Sequence, residues 1–186
     1  MIKIIFLLLI TSNAMAIEHP SYKLISENGK FEIRWYPPHV VAETLVQGEF
    51  SDVGSSAFRR LAGYIFGSND ADKTISMTAP VTQQETDDGY LVRFYMPAEH
   101  NLSDLPKPLD NTVIVRKSVG GTFAVLSYKG GWKQGPYQEK QNLLLEQLEQ
   151  HTDWLVSGEP IWARYNSPLM PSFLRSNEIL IPVVPR

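Results

Sequence analysis

The chain contains no cysteine among its 186 residues. This absence excludes disulfide bonds, thiolate metal ligands and a cysteine-linked lipid anchor, so packing has to stabilise the fold. Histidine is scarce as well, with four residues, and none of them follows the His-x-x-x-His spacing of a helical zinc site. A zinc centre therefore has no support in the sequence.

A strong charge of one sign is also lacking. The 17 lysine and arginine residues and the 20 acidic residues are interleaved along the chain and give a formal net charge of −3. Such a chain has no field that would attract a polyanion, so nucleic acid is not expected as a partner. With 43% hydrophobic and 20% charged residues, the composition indicates one ordinary globular domain.

The N-terminal apolar run, Ile4 to Ile10, is too short to cross a bilayer, which takes about 20 residues. It follows Lys3 and precedes Ala14-Met15-Ala16, a small-residue cleavage pattern. We therefore predict that residues 1–16 are a secretory signal that is removed, with an uncleaved anchor as the alternative. The mature domain, residues 17–186, is expected in the periplasm or outside the cell, without stable membrane insertion.

Hydrophobic periodicity and turn residues predict an α+β domain. A proline-rich loop over 97–110 divides the chain into two parts. The expected elements are strands at 22–26, 31–36 and 40–46, a helix from about 52 to 66, strands at 73–78, 90–96, 112–117 and 122–128, a helix at 136–150, and strands at 161–165 and 178–183.

An internal repeat lies within this order. Laying 31–65 on 113–147 without gaps aligns Arg34 with Arg116, Ala42 with Ala124, Gly48 with Gly130, Phe50 with Trp132 and Leu61 with Leu143. Two equivalent units can bury their bare sheet faces together. The repeat predicts duplicated βαβ-type halves that form a distorted antiparallel β-barrel or sheet, flanked by two helices about a pseudo-twofold axis.

No enzyme is predicted from the motifs. The sequence has no Gly-x-Ser-x-Gly elbow and no glycine-rich phosphate loop. Glu43 and Glu49 are interpreted as solvated strand ends rather than an acid and base pair. A hydrolase or transferase with an unrecognised nucleophile is the alternative with the least support.

The first helix carries more apolar surface than packing on one sheet requires, which is a stripe a little wider than about 100°. The excess edge bears Phe58, Ala62 and Phe66, with Arg59 beside it. This edge either packs under the proline-rich loop or forms the wall of an apolar cleft, where Arg59 could hold a carboxylate at the rim. The second helix has only a narrow stripe that includes Leu144 and Leu148, so any cleft is expected at the first helix.

The stretch KTISMTAPVT, residues 73–82, alternates like a strand and then places Ala79-Pro80 where the strand should continue. Because proline cannot donate to a β-ladder, we predict that Pro80 ends the strand. By alternation Ile75 and Met77 share one face, and Met77 is expected to pack beneath the first helix.

Six fragments in order, FEIRWYPPHVVAET, AFRRLAGYIFGSN, ISMTAPV, FYMP, LPKP and ARYNSP…FLRSNEI, resemble the SOUL heme-binding protein family over about residues 20–184. The resemblance implies the duplicated, helix-flanked barrel and a tetrapyrrole bound without catalysis, as a bound ligand rather than a catalytic cofactor. It implies that the porphyrin lies against the first helix and the loop between the last two strands. The positions indicated by the motifs and by the helix edge are Phe58, Arg59, Ala62, Phe66, Leu169, Met170, Pro171, Phe173 and Arg175.

This chain departs from the family at two positions. A histidine proposed as the iron ligand of one animal member is replaced here by Trp35, so the axial ligand is left unassigned. A basic residue of another member falls near Met170, which leaves Arg175 and Arg59 as the nearby cations. A thioether can bind heme iron, so Met170 or Met77 could do so, although methionine more often fills apolar gaps.

The first functional hypothesis is therefore a non-catalytic carrier, buffer or scavenger of heme or another porphyrin, held in an open apolar cleft of an exported protein. The alternative is a small-ligand sensor or a protein-partner-binding module on the same fold, with opportunistic heme binding. The sequence leaves the oligomeric state open.

Overall fold

Ten strands and two helices make up the fold of this computed structural model, which describes residues 17–29, 31–150 and 153–186. The predicted signal segment, 1–16, lies outside the described residues. The elements are β1 Lys23–Glu27, β2 Glu32–Tyr36, β3 Val40–Val46, α1 Phe50–Ile65, β4 Val81–Thr86, β5 Gly89–Tyr95, β6 Val113–Lys117, β7 Gly121–Lys129, α2 Gln134–Gln150, β8 Trp154–Val156, β9 Ile161–Arg164 and β10 Ser176–Pro185.

The strands form one open antiparallel sheet in the order β1-β2-β7-β10-β9-β4-β5-β3-β6, with β8 paired to the end of β10. The order contains two equivalent runs, β2-β7-β10-β9 and β6-β3-β5-β4, which meet at the β4–β9 pair. Each half therefore gives its first strand to the other half, since β2 pairs with β7 and β6 pairs with β3. The predicted α+β class, with a duplicated sheet flanked by two helices, is confirmed.

Each helix buries one apolar stripe on its own half of the sheet. In α1 the residues Val53, Ala57 and Leu61, spaced four apart, are almost fully buried against β3, β5 and β6. In α2 only Leu144 and Leu148 are buried, against β7 and β10. The narrow stripe predicted for the second helix is thus confirmed, and within the described residues no helix is long and apolar enough to cross a membrane.

The segment predicted as a strand over 73–78 is not one. The Asn69 side-chain amide donates to the Lys73 carbonyl at 2.7 Å, and its oxygen accepts from the Lys73 amide at 3.0 Å. Beyond Lys73 the segment makes only isolated bridges, Thr74 with Phe66 and Thr78 with Glu18. Ile75 is buried, whereas Met77 is 43% exposed, so the prediction that Met77 packs beneath the helix is wrong. The prediction that Pro80 ends a strand is also wrong, because strand β4 begins at the next residue, Val81.

Glu43 is a second correction, since it is 6% exposed rather than solvated. Strands β5 and β6 flank β3 on both sides and bring two cations to its carboxylate. Arg116 binds it through Nε at 2.6 Å and Nη2 at 3.0 Å, and Arg93 Nε donates at 2.8 Å. Burial alone would raise the pKa of Glu43, but these hydrogen bonds hold the pKa below its ordinary value of 4.5.

Replacing this carboxylate by an amide should destabilise the protein at neutral pH. Glu43→Gln leaves two arginines without their anion, and we expect it to lower the free energy of unfolding by about 1–3 kcal/mol. Because the pKa of Glu43 is lowered by folding, its contribution is present above pH 4.5 and is lost as pH falls through the lowered pKa. Urea unfolding of parent and variant should therefore differ at pH 7 and converge in strong acid.

The exposed Glu49 provides a control on the same stretch of chain. Glu49→Gln should unfold like the parent at both pH values. A Glu43→Gln variant that matches the parent at pH 7 would contradict the role given to this carboxylate.

Candidate functional site

A cleft of about 460 Å³ opens between α1 and the segment that follows β9. This volume lies within the range of about 300–1,000 Å³ that small-molecule sites usually have. The lining residues are Phe50, Gly54, Ser55, Phe58 and Arg59 of α1, Val81 and Val92 of the sheet, and Trp132, Arg164, Asn166 and Pro168. Among the described residues, the lining is mostly apolar and contains two arginines but no acidic side chain.

The central strand pair determines which side chains form the floor of this cleft. Directly paired residues of neighbouring strands point to the same face of a sheet. Val81 of β4 pairs with Phe94 of β5 and with Arg164 of β9. The Phe58 ring packs against Phe94 with centroids 5.4 Å apart, so Arg164 lies on the face that the helices cover.

Stacked aromatic rings close the space between the two helices next to the cleft. Trp162 stacks on Phe50 of α1 at 5.0 Å and on Tyr137 of α2 at 4.7 Å between ring centroids. Ring pairs at such distances are worth about 0.5–1.5 kcal/mol beyond their buried area. The stack therefore fixes the N-terminal end of α1 and leaves the opening beside Phe58.

Arg164 is the most unusual residue of the cleft. Its guanidinium carbon lies 4.1 Å from the centre of the Trp162 ring and 5.4 Å from that of Trp132. Nη2 donates to Gln83 Oε1 at 2.8 Å, whereas Nε is buried without a hydrogen-bond partner. Within the described residues no carboxylate forms an ion pair with it, and burial lowers its pKa to about 10.

Trp132 is held in place as the opposite wall. Its Nε1 donates to Asn177 Oδ1 at 2.9 Å, and Asn177 in turn donates to the Gly130 carbonyl at 3.0 Å. The Arg175 guanidinium covers the Trp132 ring at 4.3 Å. The ring therefore has little freedom to turn out of the cleft.

The predicted helix residues separate into two groups. Phe58 and Arg59 line the cleft, whereas Ala62 is buried and Phe66, at the end of α1, is 60% exposed and outside the lining. The proline-rich loop meets the helix elsewhere, because the Tyr64 hydroxyl donates to the Pro106 carbonyl at 3.0 Å. Of the two alternatives left open for the apolar edge, the structure places Phe58 at a cleft.

The predicted loop residues border the cleft less directly. Leu169 is 94% and Phe173 is 72% exposed, while Met170 is half-buried and outside the lining. Arg175 is engaged within the loop, since its Nε donates to the Met170 carbonyl at 2.8 Å and its Nη2 to the Pro168 carbonyl at 2.6 Å. Pro171 lies in the same exposed segment.

Sequence reasoning missed Gly54, Trp132 and Arg164 as site residues. The repeat pairs Phe50 with Trp132, and the family fragment ARYNSP contains Arg164, but neither signal indicates a cleft. Only the register of β4 against β9 places the arginine beside α1. No group of three or more side chains that could hold a metal ion occurs among the described residues. Trp35, at the position of the histidine proposed as an iron ligand in one family member, is 42% exposed.

A larger cavity, of about 960 Å³, lies mainly on the opposite face of the sheet and meets the cleft at Asn166, which lines both. Its buried charges are already paired. Glu178 accepts hydrogen bonds from Arg34 at 3.0 Å, from Ser127 at 2.9 Å and from the Tyr165 hydroxyl. The cleft beside α1 is the better candidate site, because its half-buried cation, Arg164, has no anion among the described residues.

The sequence profile of the SOUL heme-binding protein family matches residues 17–182. The chain belongs to the SOUL heme-binding protein family. Among curated proteins, this SOUL protein is 29% identical over 180 residues to human heme-binding protein 2, covering 89% of this chain and 86% of the relative. The family assignment therefore applies to nearly all of the described residues.

Solved structures show the same fold at low sequence identity. The SOUL domain matches the crystal structure of the EcmrR C-terminal domain with a TM-score of 0.60 and 12% identity, over 88% of this chain and 98% of that one. It matches a structure of SAV2435 bound to tetraphenylphosphonium with a TM-score of 0.52 and 10% identity, over 83% of this chain and 94% of that one. These matches support the fold alone.

Adding one methyl group at Gly54 tests the close approach of α1 to Arg164. A Cβ at Gly54 would lie 2.8 Å from Arg164 Nη1, whereas a Cβ at Gly63 of the same helix would lie 3.7 Å from its nearest neighbour, Ser68 Oγ. Gly63→Ala should stabilise the helix by about 0.5–1 kcal/mol. Gly54→Ala should lose that gain and unfold at a lower urea concentration than the parent. If the two alanine variants are equally stabilised, Arg164 is not held close to Gly54.

Proposed function

We propose that this SOUL protein binds heme or another tetrapyrrole in the cleft beside α1 and does not catalyse a reaction on it. The observation that carries the proposal is an apolar cleft whose charged groups are cationic. The Phe58 and Trp132 rings and the Val81 side chain offer contact to a flat apolar ring system. Arg59 at the rim and Arg164 at the floor suit the carboxylates that porphyrins carry.

The exposed loop supplies a further reason. Leu169 and Phe173 are large apolar side chains that stand in solvent within a few residues of Pro168, which lines the cleft. Apolar surface at the edge of a pocket is typical of a binding site. A bound porphyrin, which is larger than the floor of the cleft, could use this surface for its outer edge.

The groups available in the cleft favour binding over chemistry. Its ionisable side chains are arginines, and even with its lowered pKa Arg164 stays protonated at neutral pH. Neither arginine suits a general base, whose pKa should lie near the working pH. Family membership supports heme binding, and we infer the role of a carrier, buffer or scavenger in the periplasm or outside the cell.

Hemin titration tests the location of the site. Binding should produce a Soret shift and quench the fluorescence of Trp132, which lines the cleft, and of Trp162, which stacks on the lining residue Phe50. Phe58→Asp puts a carboxylate on the apolar wall, facing an anionic ligand, and should raise the Kd by about tenfold or more. Phe66→Asp makes the same change at an exposed position outside the lining and should leave the Kd within about twofold.

Thermal unfolding of both variants separates a lost site from a lost fold, because Phe58 also packs on Phe94. A folded Phe58→Asp protein that titrates like the parent would rule out the cleft beside α1.

The large cavity on the other face favours a second candidate function, that of a small-ligand sensor. Its lining includes Tyr22, Tyr36, Tyr95 and Tyr165, rings that suit a hydrophobic cation. The SAV2435 structure, which shares the fold, is described as bound to tetraphenylphosphonium. The buried Arg34–Glu178 pair, which leaves no free anion, makes this the weaker candidate.

Competition between hemin and tetraphenylphosphonium distinguishes the two functions. If the cleft beside α1 is the heme site, the cation should fail to displace hemin, because the cleft is positively charged and the two cavities lie mainly on opposite faces of the sheet. Displacement of hemin by low concentrations of tetraphenylphosphonium, measured by loss of the Soret band, would instead favour the sensor.

A further inference from the structure

We propose that Arg164 is the carboxylate anchor of the cleft, and that it makes the protein select tetrapyrroles with free carboxylates over their neutral esters. The inference rests on the proposed function, because it assigns a ligand specificity to the same cleft.

The first argument is that Arg164 has no anion. Its hydrogen bonds among the described residues consist of the one to the neutral side chain of Gln83. Nε is buried and unpartnered, and Nη1 faces Gly54 at the lining of the cleft. The two nearby tryptophan rings attract a cation but accept no strong hydrogen bond. Arg164 is half-buried, and leaving its buried Nε without a partner is costly, so an incoming carboxylate would complete its hydrogen bonding.

The second argument comes from the other cations near the cleft, which are less suited to this role. Arg175 donates hydrogen bonds to two loop carbonyls, and its guanidinium stacks on Trp132. Arg59 is exposed and donates to the Ser55 carbonyl at 3.4 Å. An exposed ion pair is worth about 0–1 kcal/mol, because water competes with it. An ion pair that is less exposed to water is weakened less. Discrimination should therefore come mainly from Arg164.

The third argument is that the fold keeps space for the guanidinium. Gly54 is the residue of α1 that faces it, and a Cβ there would come within 2.8 Å of Nη1. The position across the β4–β9 pair from Arg164 is Val81, which adds neither charge nor a hydrogen-bonding group. The depressed pKa of Arg164 is consistent with this apolar setting. A charged side chain thus stands at a floor that is otherwise built to be apolar.

Binding of protoporphyrin IX and of its dimethyl ester tests the proposal. The two compounds share one ring system and differ in charge, and without iron no axial ligand contributes. The parent should bind the free acid about tenfold or more tightly than the ester, which is the size expected of charge-assisted hydrogen bonds. In Arg164→Gln the ratio of free-acid affinity to ester affinity should fall close to one.

Arg60→Gln is the matched control. Arg60 lies on the same helix but contacts Thr44 and Thr112, away from the cleft. This variant should keep the parent's ratio of acid to ester affinity. Arg164→Lys keeps a cation and should keep part of the preference, so it also serves if the glutamine variant does not fold.

Unliganded stability adds a readout that a purely structural role would not give. Removal of an unpaired, half-buried charge should leave the urea midpoint of Arg164→Gln equal to or above that of the parent. A midpoint strongly lowered in both Arg164→Gln and Arg164→Lys would assign Arg164 to the fold rather than to the ligand.

The outcomes separate the two proposals. If the parent binds acid and ester alike, or if Arg164→Gln keeps the preference, the anchor is wrong while porphyrin binding stands. If the parent binds neither compound, the proposed function fails and the anchor fails with it.

Discussion

The β4–β9 pairing is the contact on which the architecture and the cleft both depend. It joins the two halves into one sheet, and its antiparallel register sets Val81 opposite Arg164 and Gln83 opposite Trp162. Because paired residues share a face, all four side chains point to the side that carries the helices. A shift of one residue would move the arginine to the opposite face and remove the cation from the cleft.

The cleft exists because the duplicated halves are not used in the same way. The repeat aligns Phe50 with Trp132, yet the first ring stacks on Trp162 between the helices and the second forms the wall of the cleft. Next to this wall, Arg164 brings a cation to the helix-covered face of the central strand pair, where its cross-strand partner Val81 is apolar. The duplicated sheet forms the scaffold, and a few residues that differ between the two halves form the cleft.

Much of the fold could be predicted because its strands and helices carry local signals. Alternation and turn residues gave most strands to within a few residues, and the spacing of Val53, Ala57 and Leu61 gave α1. The strand predicted over 73–78 is wrong, and hydrophobic periodicity could not have shown why. The Asn69 side chain bonds the backbone of Lys73, and Thr74 and Thr78 make only isolated bridges, so no strand ladder forms despite the strand-like pattern. The prediction that Glu43 is solvated is wrong for a similar reason, because the two arginines that bind it lie on other strands.

For the candidate site, the sequence by itself determined the family resemblance, the excess apolar edge of α1 and the presence of Phe58 and Arg59 on that edge. These follow from residue order and helical geometry, which are local. Only the tertiary structure decided that Arg164 lies opposite them, that Trp132 closes the wall and that Arg175 is occupied by loop carbonyls. Such facts depend on strand register and on contacts between residues far apart in the chain, where the balance of charge and burial is set.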